Sequence, residues 1–122
     1  MSQPSHTLLI VDDDPMFRDA QRRVLRSLRV REDAGVRVLE AGGGQAAMEI
    51  LGKETVDAML LDHDMPGGTG LEWLRRLREA APDLAIIMVT GRGCEQLAVE
   101  AMKAGASDYL VKGTITPADL QR

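Results

Sequence analysis

The sequence predicts an α/β protein: a doubly wound, five-stranded parallel sheet with helices on both faces. Two observations carry this. Apolar runs alternate with stretches of helical periodicity along the whole chain, the pattern of strands joined by crossover helices. The first and third runs are continuously apolar rather than alternating with polar residues, as in strands covered on both sides. Size and composition agree. The chain has 122 residues, 44% hydrophobic and 28% charged, which suits one ordinary domain. Only 2% of it is aromatic, so the core is expected to be built from Leu, Val, Ile, Ala and Met. No repeat, low-complexity stretch or linker interrupts it.

The first strand is read at residues 8–11 and runs straight into Asp12, Asp13, Asp14 and Pro15. Proline suits the first helical position, which makes Asp14 the N-cap. In the first helix Phe17, Ala20, Val24, Leu25 and Leu28 form one face, and Arg18, Asp19, Arg22, Arg23 and Arg26 the other. The second strand is Val36–Ala41, followed by a glycine turn at 42–44 and a short helix over 45–51. The third strand is Ala58–Asp62, followed by the loop 65–68. Thr69 and Glu72 have capping-box spacing and open a helix that runs to Ala80. The fourth strand, 84–89, ends at Thr90; the next helix, Glu95–Ala104, stops at Gly105. The fifth strand, 109–111, ends at Lys112. Thr116-Pro117-Ala118-Asp119 begins another helix, and the chain closes at Arg122. That is far short of the ~12 residues of a marginal free helix. A truncated fifth helix and a parent protein that continues beyond it are therefore expected.

Several function classes are disfavoured. A single cysteine, Cys94, excludes a disulfide framework and a four-cysteine zinc site. The net charge of -4 argues against a nucleic-acid coat protein. The arginines of the first helix read as a solvated face, because Asp19 and Arg23 pair at i,i+4 and no aromatics accompany them. No apolar run is long enough to cross a bilayer and no signal peptide is visible, so a reducing, cytoplasmic location is expected. The glycine turn lacks the Lys-Ser/Thr of a phosphate loop. Trp73 and the methionines read as core or half-core. His6 and His63 do not read as ligands, since His63 points away if Asp62 points in.

The informative coincidence lies at the strand ends. Ligands of parallel α/β sheets gather at the carboxyl edge. That edge carries Asp12 and Asp13, Asp62, Thr90 and Lys112, each following an apolar strand. Carboxylates about 5 Å apart repel by roughly 3 kcal/mol at an effective dielectric of 20, which protonation or a cation relieves. Oxygen ligands without nearby Cys or His favour Mg²⁺ or Mn²⁺. A carboxylate beside such a cation can accept a phosphoryl group, with Lys112 adding charge and Thr90 a hydrogen bond.

These residues closely resemble the receiver domain of two-component response regulators. The matching features are Ile10-Val11-Asp12-Asp13, Leu61-Asp62-x-Asp64-Met65-Pro66, Met88-Val89-Thr90-Gly91, Ala104-Gly105-Ala106-Ser107-Asp108-Tyr109 and Val111-Lys112. They span about residues 8–121 in family order. The resemblance implies a flavodoxin-like strand order 2-1-3-4-5. It implies that Asp62 is the phosphoacceptor and attacks the phosphohistidine of a sensor histidine kinase or phosphotransfer protein. Asp13, Asp62 and the backbone carbonyl of Asp64 would bind Mg²⁺, with Asp12 acting through water. Lys112 would pair with the acidic site and then the phosphoryl group, and Thr90 and Tyr109 would form a switch. A C-terminal output domain and a homodimer through the fourth helix, fifth strand and fifth helix are further implications. Lys112 is followed by Gly113 instead of the family's usual proline, so a non-cis connection is expected there. Asp64 and Arg92 fall at the mouth of such a site and are read as a pair that obstructs attacking water.

Three other readings compete. One is an aspartate phosphatase of the haloacid dehalogenase type, echoed by Asp62-His63-Asp64 but with Pro66 where that motif wants Thr or Val. The second is a flavin-binding module, opposed by an acidic first loop that would repel a flavin phosphate. The third is a receiver-like binding module that is never phosphorylated.

Overall fold

In the computed structural model, residues 6–27, 36–64, 70–91 and 95–111 are described, apart from the side chains of 24–27 and 36. The elements are β1 (His6–Val11), α1 (Pro15–Ser27), β2 (Val36–Ala41), α2 (Gly44–Lys53), β3 (Ala58–Asp62), α3 (Gly70–Ala80), β4 (Ala85–Thr90), α4 (Glu95–Ala104) and β5 (Asp108–Val111). All strand pairs are parallel, in the order β2-β1-β3-β4-β5.

That order explains the two-sided cover. The chain leaves β1 towards β2 and then returns past β1 to β3, β4 and β5. Right-handed crossovers running in opposite directions place their helices on opposite faces. Helices α2, α3 and α4 cover Leu9, Val11, Met59, Leu61, Ile86 and Met88 through Ala47, Leu74, Leu77 and Ala101. Among the described residues, α1 supplies the cover of the other face, where Phe17 packs against Ile10, Leu60 and Val89. The fifth helix expected after Thr116 lies outside the described residues. No described helix is long and apolar enough to cross a membrane.

Helix α1 starts as expected: Oδ1 of Asp14 accepts a hydrogen bond from the Met16 amide at 2.9 Å. Its buried stripe has a different phase. Ala20 is exposed and Gln21 is buried at 4% exposure. The inward step runs from Phe17 to Gln21, one i,i+4 row, and Ala20 falls beside it. The Gln21 amide has no hydrogen-bond partner among the described residues. The helix is also less solvated than its charge suggests: Arg18 and Arg22 both reach Glu40 on β2. Arg23 and Asp19 do form an exposed pair at 2.9 Å.

Strand β1 begins two residues before the expected start because the Asp57 carboxylate accepts the Thr7 amide at 2.7 Å, while the Asp57 amide donates to Thr7 O at 2.9 Å. Helix α2 meets α3 where Gly44 lies against the ring of Trp73. A Cβ on Gly44 would sit 2.0 Å from the indole Cδ2, so only glycine fits. Trp73 is half-buried, as expected, with the Arg76 guanidinium 5.0 Å from its ring centre. Gly105 stops α4 at φ 113°, a conformation that costs glycine little.

Candidate functional site

Parallel strands β1 and β3 are neighbours, and the strand order reverses between them. The crevice at such a switch point opens at the carboxyl ends of the strands. Val11 pairs with Leu61 in register, so Asp12 and Asp62 leave the sheet side by side. Each carboxylate turns back on its own chain. Oδ1 of Asp12 accepts the Asp14 amide at 2.9 Å, and Oδ1 of Asp62 accepts the Asp64 amide at 3.1 Å. These paired Asx turns aim two carboxylates into one space.

Carboxylate oxygens of Asp12, Asp13 and Asp62 all lie within 4.8 Å of one another. Asp12 is 1% exposed and Asp62 2%, whereas Asp13 is open to solvent. Two buried like charges and a third at their rim repel strongly in a poorly screened setting. The donor set is oxygen alone, without thiolate or imidazole, which fits a hard divalent cation such as Mg²⁺, Mn²⁺ or Ca²⁺. The burial of two carboxylates and the opening at Asp13 leave such an ion reachable from solvent.

Thr90 is fully buried at the end of β4, one residue beyond Val89, the register partner of Asp62. Tyr109 pairs with Met88 and Val111 with Thr90. Alternation therefore puts Thr90 and Tyr109 on one face of the sheet. Tyr109 is half-buried and packs against the larger core. Asp62, Thr90 and Tyr109 thus lie on the neighbouring strands β3, β4 and β5, at or near their carboxyl ends.

Asp64 is set apart from the acidic group. Its Oδ2 accepts the Gly91 amide at 3.0 Å and its Oδ1 lies 3.1 Å from His63 Nδ1. The His63 amide in turn donates to Val89 O at 2.8 Å. An Asp64 carboxylate turned to Gly91 does not stand beside Asp62 as the second acid of a dehalogenase-type phosphatase would. Lys112 and Arg92 lie outside the described residues, as do residues 65–68 and Thr69 of the expected capping box.

Sequence reasoning missed two contributors. Gly70 opens α3 against the β3 loop, where a Cβ would lie 2.5 Å from His63 Cα, and its amide donates to His63 O at 3.1 Å. Only glycine lets α3 start this close to the end of β3. Arg18 donates to Asp12 O at 2.5 Å, a contact made across an acidic loop that sequence spacing does not reveal.

A family model described as the response regulator receiver domain matches residues 8–122. Response regulator UvrY of Escherichia coli (strain K12) is 36% identical over 107 residues, covering 87% of this chain and 47% of that protein. The C4-dicarboxylate transport transcriptional regulatory protein DctD of Pseudomonas aeruginosa is 37% identical over 105 residues, 86% of this chain and 21% of that protein. The chain therefore spans half or less of these curated relatives. Among solved structures, a CheY-like receiver domain protein from Methanospirillum hungatei JF-1 superposes with a TM-score of 0.81 at 29% identity, covering 98% of this chain and 89% of that one. A response regulator from Burkholderia pseudomallei, solved with a phosphorylated aspartic acid, a calcium ion and citrate, gives 0.78 at 28% identity over 95% of this chain and 65% of that one.

Proposed function

The chain belongs to the response regulator receiver domain family, the phosphoryl-accepting switches of two-component signalling, and from that premise we propose how its own residues work. One observation carries the reading: three carboxylates converge within 4.8 Å, and two of them are buried at the ends of β1 and β3. Asp62 is the phosphoacceptor. Its carboxylate oxygen attacks the phosphorus of a phosphohistidine on a sensor histidine kinase or phosphotransfer protein. The O–P bond forms as the P–N bond breaks, and the imidazole leaves with the electron pair and takes up a proton. Water later attacks the same phosphorus, releasing inorganic phosphate and restoring the Asp62 carboxylate. The domain catalyses both steps on itself and has no separate substrate.

Asp13, Asp62 and the Asp64 carbonyl would hold Mg²⁺ or Mn²⁺, with Asp12 acting through water. When bound, the ion offsets carboxylate and phosphoryl charge. Lys112 supplies a second positive charge to the phosphoryl oxygens. The Thr90 hydroxyl donates to one of those oxygens, and the Tyr109 ring turns inward behind it, shifting the balance between two packings. Asp64 and Arg92 pair across the mouth and slow the attack of water. The readout passes to a C-terminal output region in a cytoplasmic protein. A homodimer forms through α4, β5 and the fifth helix, a face on which Val99 and Met102 are about half exposed.

Intact mass after acetyl phosphate and Mg²⁺ tests this reading. A gain of one phosphoryl group is expected, lost without metal and lost in Asp62→Asn. A folded wild-type protein that gains no mass overturns it and leaves the unphosphorylated binding module as the alternative.

A further inference from the structure

The side chain of Arg18 is 19% exposed and does two things at once. Its Nε donates to Glu40 Oε1 at 2.9 Å, and a terminal nitrogen donates to the backbone oxygen of Asp12 at 2.5 Å. The other Glu40 oxygen takes Arg22 Nε, and Arg22 also donates to Val38 O at 2.8 Å. Glu40 therefore fixes the Arg18 fork from the end of β2.

Asp12 is gripped at three points. Its amide donates to Ala41 O at 3.0 Å, its carboxylate accepts the Asp14 amide, and its carbonyl accepts Arg18. The carbonyl lies in the same rigid peptide plane as the Asp13 amide. Holding it sets both the exit direction of the buried Asp12 carboxylate and the direction in which the exposed Asp13 leaves the strand. We infer that Arg18, braced by Glu40, is a positioning residue for the cation site, acting through the Asp12–Asp13 peptide. The inference rests on the acidic centre binding a divalent cation, as set out above.

Charge alone does not explain the arrangement. A positive group so near a cation site would weaken cation binding, but Glu40 offsets it at 2.9 Å. An exposed ion pair contributes little, whereas this guanidinium is mostly enclosed and spends one arm on a backbone carbonyl. The planar fork is what reaches both acceptors, and a lysine ammonium on a flexible stem has no equivalent geometry.

The test is calorimetric Mg²⁺ titration of wild type, Arg18→Ala, Arg18→Lys and Glu40→Gln, each checked for cooperative urea unfolding. Arg18→Ala is expected to weaken Mg²⁺ binding roughly tenfold, the low end for loss of an outer-shell partner. Arg18→Lys should recover little of it, and Glu40→Gln should fall between. Acetyl phosphate kinetics should show a raised Mg²⁺ requirement with a near-normal rate at saturating metal. Arg18→Ala that unfolds earlier yet binds Mg²⁺ like wild type overturns the inference and leaves a structural role. If Arg18→Ala does not fold, unchanged affinity in Glu40→Gln overturns it instead. A wild-type protein that binds no Mg²⁺ overturns the functional reading itself, and this inference with it.

Discussion

The carboxylate of Asp64 accepts a hydrogen bond from the Gly91 amide at 3.0 Å, joining the loop after β3 to the loop after β4. Gly91 directly follows Thr90, so the bond restrains the segment that carries this buried threonine. Hydrogen bonds to charged groups contribute about 1.5–3 kcal/mol, and the 45% exposure of Asp64 favours the low end. In Asp64→Ala the Gly91 amide should exchange with deuterium roughly tenfold faster, the factor that 1.4 kcal/mol represents, while amides of β1 stay unchanged. An unaltered rate at Gly91 would mean that Asp64 restrains nothing there.

Much of this architecture was legible in the chain. The elements Val36–Ala41, Ala58–Asp62 and Glu95–Ala104 fall at their expected bounds, because Gly or Asp residues mark their ends. The convergence of Asp12, Asp13 and Asp62 follows once each is read as the polar residue after a buried strand. What was not legible depends on how elements land on one another. Arg18 and Glu40 are 22 residues apart and meet only because β2 pairs beside β1. Gln21 replaces Ala20 as the buried residue of α1 because helix rotation is set by packing, not by hydropathy alone. Gly44 reads as part of a turn and Gly70 only as a residue inside the capping box, while their necessity lies in the ring and the backbone pressed against them.

Metal binding should reverse the sign of one mutation's effect. Asp12 and Asp62 are buried beside each other, so neutralising one relieves repulsion. Asparagine can still accept the Asp14 amide. Asp12→Asn is therefore expected to raise metal-free stability by up to about 3 kcal/mol, the scale of one relieved carboxylate pair. Wild type should gain about 2.7 kcal/mol at a Mg²⁺ concentration about a hundred times Kd, and the variant much less. Urea midpoints with and without Mg²⁺ measure both. A metal-free Asp12→Asn less stable than wild type would show that burial of the pair is not the dominant cost.

At the opposite edge of the sheet, Arg78 works as a staple. Its guanidinium donates to Leu84 O at 2.5 Å, to Gly105 O at 2.6 Å and 3.0 Å, and to Pro82 O at 3.0 Å. It ties the end of α3 to the starts of β4 and β5, next to Ser107, whose hydroxyl accepts the Ile86 amide at 3.2 Å. Arg78→Ala leaves several part-buried carbonyls without this donor, which should cost about 3 kcal/mol. Mg²⁺ affinity should not change, because the staple lies across the sheet from Asp62. A stability loss under about 0.5 kcal/mol, the range of ordinary surface changes, would remove that role.

Arg37 on β2 grips Glu54 at the end of α2 through two parallel hydrogen bonds of 3.0 Å and 2.9 Å. Those bonds, and then the arginine's charge, hold the Glu54 carboxyl below its ordinary value of 4.5. A folded-state value below the unfolded one stabilises the fold above the unfolded value, and the contribution disappears as pH falls through the folded one. The Arg37→Gln variant should therefore lose stability at neutral pH and match wild type once Glu54 is protonated in acid. Both side chains are more than a third exposed, at 40% and 37%, so the effect is small and should shrink further in high salt. Urea midpoints of the two proteins across an acid-to-neutral series provide the check. A gap that persists undiminished in acid would mean that Arg37 stabilises through its packed stem and not through its pairing with Glu54.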